Sequence, residues 1–147
     1  MKIGIANDHR GTKLKDILKK ELIEQNYEVI DYGTNSEESV DYPDYAFKLG
    51  HDVTTKKVDF GIAICGSGIG ISIACNKVTG VRCAKVVNKE EAKYTRIDND
   101  ANIVAFGEKV PAEEALEIVT TFINTPFSAL EKHQRRIDKI ASYEEQN

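Results

Sequence analysis

Cysteine is scarce in this sequence. The three residues present, Cys65, Cys75 and Cys83, are an odd number without the paired spacing of a zinc site or a disulfide framework. The expectation is therefore reduced thiols in a cytoplasm, with no metal bound. Long apolar runs are also missing, and none approaches the roughly 18 residues of a membrane span. The amino-terminal "MKIGIANDH" reaches an acid at residue 8, which argues against a signal peptide. Nor is positive charge in excess: the net charge of −4 argues against a nucleic-acid footprint, which would need a basic face or stripe. What is left, 41% hydrophobic and 30% charged residues, suits a soluble chain able to bury its own core. One domain over residues 1–147 is expected.

Short apolar runs alternate with amphipathic stretches along the whole chain. "KIGIA" (2–6), "YEVIDY" (27–32), "FGIAIC" (60–65), "VRCAKVV" (81–87) and "NIVAFG" (102–107) read as strands. Leu14, Ile17, Leu18 and Leu22 recur at helical spacing in the segment 12–24. Further helices are expected over 42–55, with Pro43 in the first turn, and over 70–77, 89–98, 112–124 and about 130–143. Strand and helix alternate five times across mostly short connections. Parallel strands need such crossovers, so the pattern predicts a doubly wound, Rossmann-like α/β fold. It comprises a five-stranded parallel sheet, helices on both faces and an extra carboxy-terminal helix.

In such sheets ligands sit beyond the carboxyl ends of the strands. There the chain places Asp8 and His9, the loop 33–41, and "CGSGIG" from Cys65 to Gly70. Gly66, Gly68 and Gly70 let backbone N–H groups approach a ligand, and the following helix adds its positive end, which favours an anion. The loop lacks the lysine of a P-loop and the spacing of a dinucleotide fingerprint. A thiol facing those amides should ionise more readily than usual, as a nucleophile, a base or a redox group. A small buried hydrophobe is the alternative reading for Cys65, and the accepted one for Cys75 and Cys83. Asp8 can bind sugar hydroxyls or cap a helix, and His9 can pair with a phosphate. Lys132, Arg136 and Lys139 form a basic stripe on the last helix, a solvated face or a reach toward a phosphate.

Six segments in order, "NDHRG" (7–11), "EVIDYGT" (28–34), "SVDYPDYA" (39–46), "ICGSGIGISIACNKVTGVR" (64–82), "RIDNDANIVAFGEKV" (96–110) and "KHQRRI" (132–137), resemble the type B ribose-5-phosphate isomerase family. That family includes the galactose-6-phosphate isomerase subunits. The resemblance implies an aldose–ketose isomerase that works through an enediolate without metal or cofactor. Its best single substrate is ribose 5-phosphate, giving ribulose 5-phosphate. It implies Cys65 as the base between C2 and C1, Ser67 as the hydroxyl that polarises the thiol, and the amides of Gly66 to Gly70 with Asn99 as the anion hole. Asp8 would bind hydroxyls, Tyr42 would line the pocket, and His9, Lys109, Lys132 and Arg136 would contact phosphate. Some of these would come across the interface of a homodimer or dimer of dimers.

The chain departs from the family's R-x-H-N-D-x-N, whose histidine is credited with opening the sugar ring. It reads Arg96-Ile97-Asp98-Asn99-Asp100-Ala101-Asn102. A carboxylate of ordinary pKa, about 3.9, rarely donates a proton at pH 7. Asp98 is expected to serve through burial, or the enzyme takes open-chain substrate or another sugar, or a homologous partner chain supplies the histidine. Lysine at 109 and 132, where arginine is usual, keeps charge but loses the bidentate fork. Rival readings are a hexose-6-phosphate isomerase of galactose or allose type, and a sugar-phosphate binder without turnover.

Overall fold

All five apolar runs form strands in the computed structural model, which describes residues 1–147. They are β1 (Lys2–Asn7), β2 (Glu28–Gly33), β3 (Phe60–Cys65), β4 (Cys83–Lys85) and β5 (Ile103–Gly107), every pairing parallel, in the order β2-β1-β3-β5-β4. The helices are α1 (Thr12–Glu24), α2 (Tyr42–Thr54), α3 (Ile69–Asn76), α4 (Lys89–Asn99), α5 (Ala112–Asn124) and α6 (Glu131–Glu145).

Alternation along the strands splits the core in two. Ile62 and Ile64 of β3 join Ile3, Ile5 and Phe106 beneath α1 and α5, whereas Ala63 and Cys65 join Ala6 and Ala105 beneath α2 and α3. The unbroken apolarity of "FGIAIC" follows from its central place, covered on both faces. It also fixes which face the Cys65 side chain takes.

Two details differ from the sequence reading. A 3-10 turn, His9–Gly11, precedes α1, and the Asp8 carboxylate caps it by accepting the Arg10 N–H. The fourth strand is also shorter than expected. Val81 closes a turn on the Val78 carbonyl, and the Arg82 N–H goes to the Asn102 side chain. At the far end the Val87 N–H is taken by the Glu91 carboxylate, so only three residues keep strand geometry on this edge of the sheet.

The order places β2 on one side of β1 and β3 on the other, so the chain reverses direction at the β1–β3 seam. A crevice opens above such a seam. Asp8 directly follows β1 and Cys65 ends β3, the two strands that form it.

Candidate active site

Cys65 ends β3 with 4% of its surface exposed, and its Sγ accepts the Gly68 N–H at 3.2 Å. That contact requires a left-handed residue: Gly68 has φ +80°, and a Cβ there would lie 2.6 Å from the Phe106 carbonyl carbon. Gly68→Ala is therefore expected to cost at least about 1–2 kcal/mol from backbone conformation alone. It should also displace the amide that faces the sulfur. Thermal unfolding and turnover measured together check this, and a variant with wild-type values in both would refute it. Cys75 is different: a hydrogen bond with Cys83 and burial push its thiol upward, and it sits in the core as expected.

Ser67 is exposed, and its hydroxyl oxygen accepts the Ile69 N–H at 3.1 Å. No hydrogen bond joins Ser67 to Cys65 in the folded chain. One lone pair takes that amide, and the O–H proton is free for a bound oxygen.

Across the seam, Asp8 is 6% exposed; one carboxylate oxygen takes the Arg10 N–H and the other makes no hydrogen bond. His9 accepts the Val40 N–H at Nδ1, so its neutral form carries the proton on Nε2. This also pins the loop 33–41, which is fixed in addition by Asn7 and Lys15 on the Thr34 carbonyl and by Thr12 on the Ser36 carbonyl. The loop delivers Tyr42, the first residue of α2, against Gly70, where a Cβ would meet the phenol oxygen at 2.9 Å. Asp8, His9, Tyr42 and residues 65–70 thus share one end of the sheet.

Lys109 follows β5 at the same end. It lines a cleft of about 530 Å³ with Arg10, Gly66, Ser67, Lys85 and Gly107. Arg10 was not singled out from the sequence. Its Nε donates to Glu108 at 2.9 Å and its Nη2 to the same oxygen, holding the guanidinium beside Gly66. This pairing raises the Arg10 pKa and holds the Glu108 carboxyl below its usual range. The sequence signal was its place next to His9 at a strand tip; the partner 98 residues away was not visible.

The remaining expected residues lie elsewhere. Asp98 and Asn99 close α4, just before β5 begins, so β5 separates them from Cys65 by on the order of 15 Å. Arg96 bonds the Asp100 side chain and the Ala101 and Thr125 carbonyls, while Asn102 holds Gly80 and Arg82. Three members of the 96–102 block are thus architectural, and Asp98 and Asn99 face outward. The Asp98 side chain is 42% exposed, so it lacks the burial that its expected service required. Lys132 and Arg136 are exposed on α6, whose start is tied to the end of α4 by Ser128 N–H on the Ile97 carbonyl and by His133 on Asp98. The expected site residues therefore fall in two groups at opposite ends of the sheet: the thiol end, and an end with Asp98, Asn99, Lys132 and Arg136.

The site is thus a buried thiol under helix-start amides, at the switch point of a parallel α/β sheet and beside a cleft lined by Arg10, Lys85 and Lys109. The chain belongs to the Ribose/Galactose Isomerase family, whose model matches residues 3–140. It is 40% identical to ribose-5-phosphate isomerase B of Escherichia coli, over 98% of this chain and 97% of the relative. The Clostridium thermocellum ribose-5-phosphate isomerase B structure superposes with a TM-score of 0.96 at 46% identity, covering 99% of each chain. The enzyme of Mycoplasma genitalium, solved with bound ribulose 5-phosphate, gives a TM-score of 0.94 at 38% identity over 99% of this chain and 97% of that one.

Proposed function

We propose that this protein interconverts ribose 5-phosphate and ribulose 5-phosphate through an enediolate, with Cys65 as the base. The observation that carries the reading is the Cys65 sulfur receiving the Gly68 N–H at the mouth of an amide-lined loop. The thiolate takes the C2 proton of the open-chain aldose, and charge develops on the carbonyl oxygen. Loop amides and the Ser67 hydroxyl stabilise that oxygen where it becomes negative. The proton returns to C1, and the hydroxyl proton shifts from O2 to O1, giving the ketose. The free Asp8 carboxylate oxygen accepts a sugar hydroxyl, Tyr42 closes the pocket wall, and His9 Nε2–H, Lys109 and Arg10 hold phosphate. No metal or cofactor is required. Reduced cytoplasm keeps such a thiol available.

The working unit in this reading is a two-fold homodimer. The two half-sites lie at opposite ends of one chain, and an isologous pairing sets each thiol end against Asn99 of the partner subunit. Exposed apolar side chains support a covered surface: Ile69 and Ile73 of α3 stand 55% and 57% exposed. Mixing Cys65→Ala chains with Asn99→Ala chains should then rebuild one intact site per mixed dimer, restoring roughly a quarter of wild-type turnover on random exchange. Each variant alone should stay far below that. No gain on mixing, or a monomer by sedimentation, would overturn the shared site.

The substrate is tested with a panel of ribose 5-phosphate, allose 6-phosphate and galactose 6-phosphate. Turnover confined to a hexose phosphate would transfer the same chemistry to a six-carbon substrate. Binding without any exchange of the C2 proton would make the protein a sugar-phosphate binder.

A further inference from the structure

An aldopentose 5-phosphate is overwhelmingly a furanose, and its C2 proton becomes acidic only after the ring opens. Opening breaks the C1–O4 bond: the O1 hydroxyl gives up its proton as O1 becomes the carbonyl, and O4 receives one. A group that both accepts and donates at neutral pH suits this exchange, and imidazole is that group. The chain has three histidines, at 9, 51 and 133. His9 has its Nδ1 on the Val40 N–H at the phosphate-binding rim. His51 stands 66% exposed on α2, beside Asp52. His133 remains. It lies in the first turn of α6 with its side chain 14% exposed, and its Nε2 is 3.4 Å from Asp98 Oδ1.

We infer that His133, oriented by the Asp98 carboxylate, is the acid–base group that opens the sugar ring. This deepens the function proposed above and rests on it, because His133 acts in the site completed by a second copy. It belongs to the half-site with Asn99, Lys132 and Arg136. Asp98 acts as a positioning residue rather than a proton donor. A carboxylate 3.4 Å from Nε2 favours the proton on that nitrogen and leaves Nδ1 to exchange protons with the substrate. No side chain or backbone group hydrogen-bonds His133 Nδ1 in the folded chain. The imidazole thus enters from residue 133, 35 positions away in sequence from Asp98 but with its Nε2 3.4 Å from that carboxylate. Carboxylate and histidine contribute together what a histidine at 98 would contribute alone.

The test separates ring opening from proton transfer at carbon. Ribulose 5-phosphate cannot close a furanose through its phosphorylated C5 oxygen, so uptake of solvent deuterium at its C1 needs the thiol but no ring opening. His133→Gln is expected to lower turnover of ribose 5-phosphate by about 10²-fold, the usual contribution of a positioned acid–base group. Deuterium uptake into ribulose 5-phosphate should stay within about twofold of wild type. Asp98→Asn, which keeps the shape at 98, should lower ribose 5-phosphate turnover by about tenfold with uptake again preserved. Added free imidazole should partly rescue a His133→Ala chain. The inference is overturned if His133→Gln leaves turnover unchanged, or if turnover and uptake fall in parallel as a purely structural clamp between α4 and α6 would make them. Wild-type protein showing neither turnover nor uptake would sink the functional reading itself, a result distinguishable from both.

Discussion

Cys65→Ala is expected to reduce ribose 5-phosphate turnover by about 10²–10⁴-fold or more, the span attributed to a positioned proton-transfer group. The substitution removes one sulfur from a site 4% exposed, and it leaves the backbone of β3 and the glycine loop in place. Phosphate recognition should survive, because His9 and Arg10 are held by contacts that do not involve the sulfur and Lys109 lines the cleft beside Arg10. Calorimetric titration with ribulose 5-phosphate should therefore give affinity within a few-fold of wild type while kcat collapses. That split marks a group that matters in the transition state rather than in ground-state binding. Deuterium uptake at C1 should vanish as well, unlike in the His133 variants. Substantial residual turnover would assign the base to another residue. The unpaired Asp8 carboxylate oxygen across the seam would be the first to test.

The architecture was legible because the strands announce themselves locally. "FGIAIC" is apolar at every position, and a strand covered on both faces must be. Strand order was left open by the sequence reading. The sheet inserts β5 between β3 and β4, and the one local signal for it is that "NIVAFG" is apolar from Ile103 to Phe106 and buried there, while "VRCAKVV" is interrupted by Arg82 and Lys85 and lies at the edge. The site divides along the same line. Cys65, Ser67 and the glycines act on one another within a few residues, so their chemistry could be read from the string. The Ser67 hydroxyl accepts the Ile69 N–H, a turn contact the string does not display. The Arg10–Glu108 and Asp98–His133 pairs span 98 and 35 positions, and only folding brings them together. In the 96–102 block, sequence alone cannot distinguish Arg96, which clamps the α4–β5 turn, from Asn99, which faces outward.

Asp31→Asn is expected to destabilise the protein by about 3 kcal/mol, because it takes the nearest carboxylate from a buried ammonium and leaves it only that of Asp16, at 3.7 Å. Lys15 is the largest charged side chain at 0% exposure; its Nζ donates to Asp31 Oδ2 at 2.9 Å and to the Thr34 carbonyl at 2.9 Å. Burial pushes the Asp31 carboxyl upward. Hydrogen bonds from Lys15, the Gly33 N–H and Lys19 outweigh that and hold it below the ordinary carboxylate value. A carboxyl with a depressed folded pKa stabilises the fold fully above its unfolded value, about 3.9, and loses that contribution as pH falls through the folded one. The gap between wild type and Asp31→Asn should thus be constant above about pH 5 and narrow in more acidic buffer. At neutral pH it should appear as a melting temperature lower by about 10 °C for a chain of this size. The same ammonium fixes the loop that carries Val40 to His9 and ends at Tyr42, so substrate affinity should weaken at temperatures well below unfolding. Adding Lys15→Met to Asp31→Asn should recover part of the loss, since a missing charge costs less than an unpaired one. Equal melting temperatures for wild type and Asp31→Asn at pH 7 would refute the pairing as a determinant of stability, and with it the account of how the 33–41 loop is held over the site.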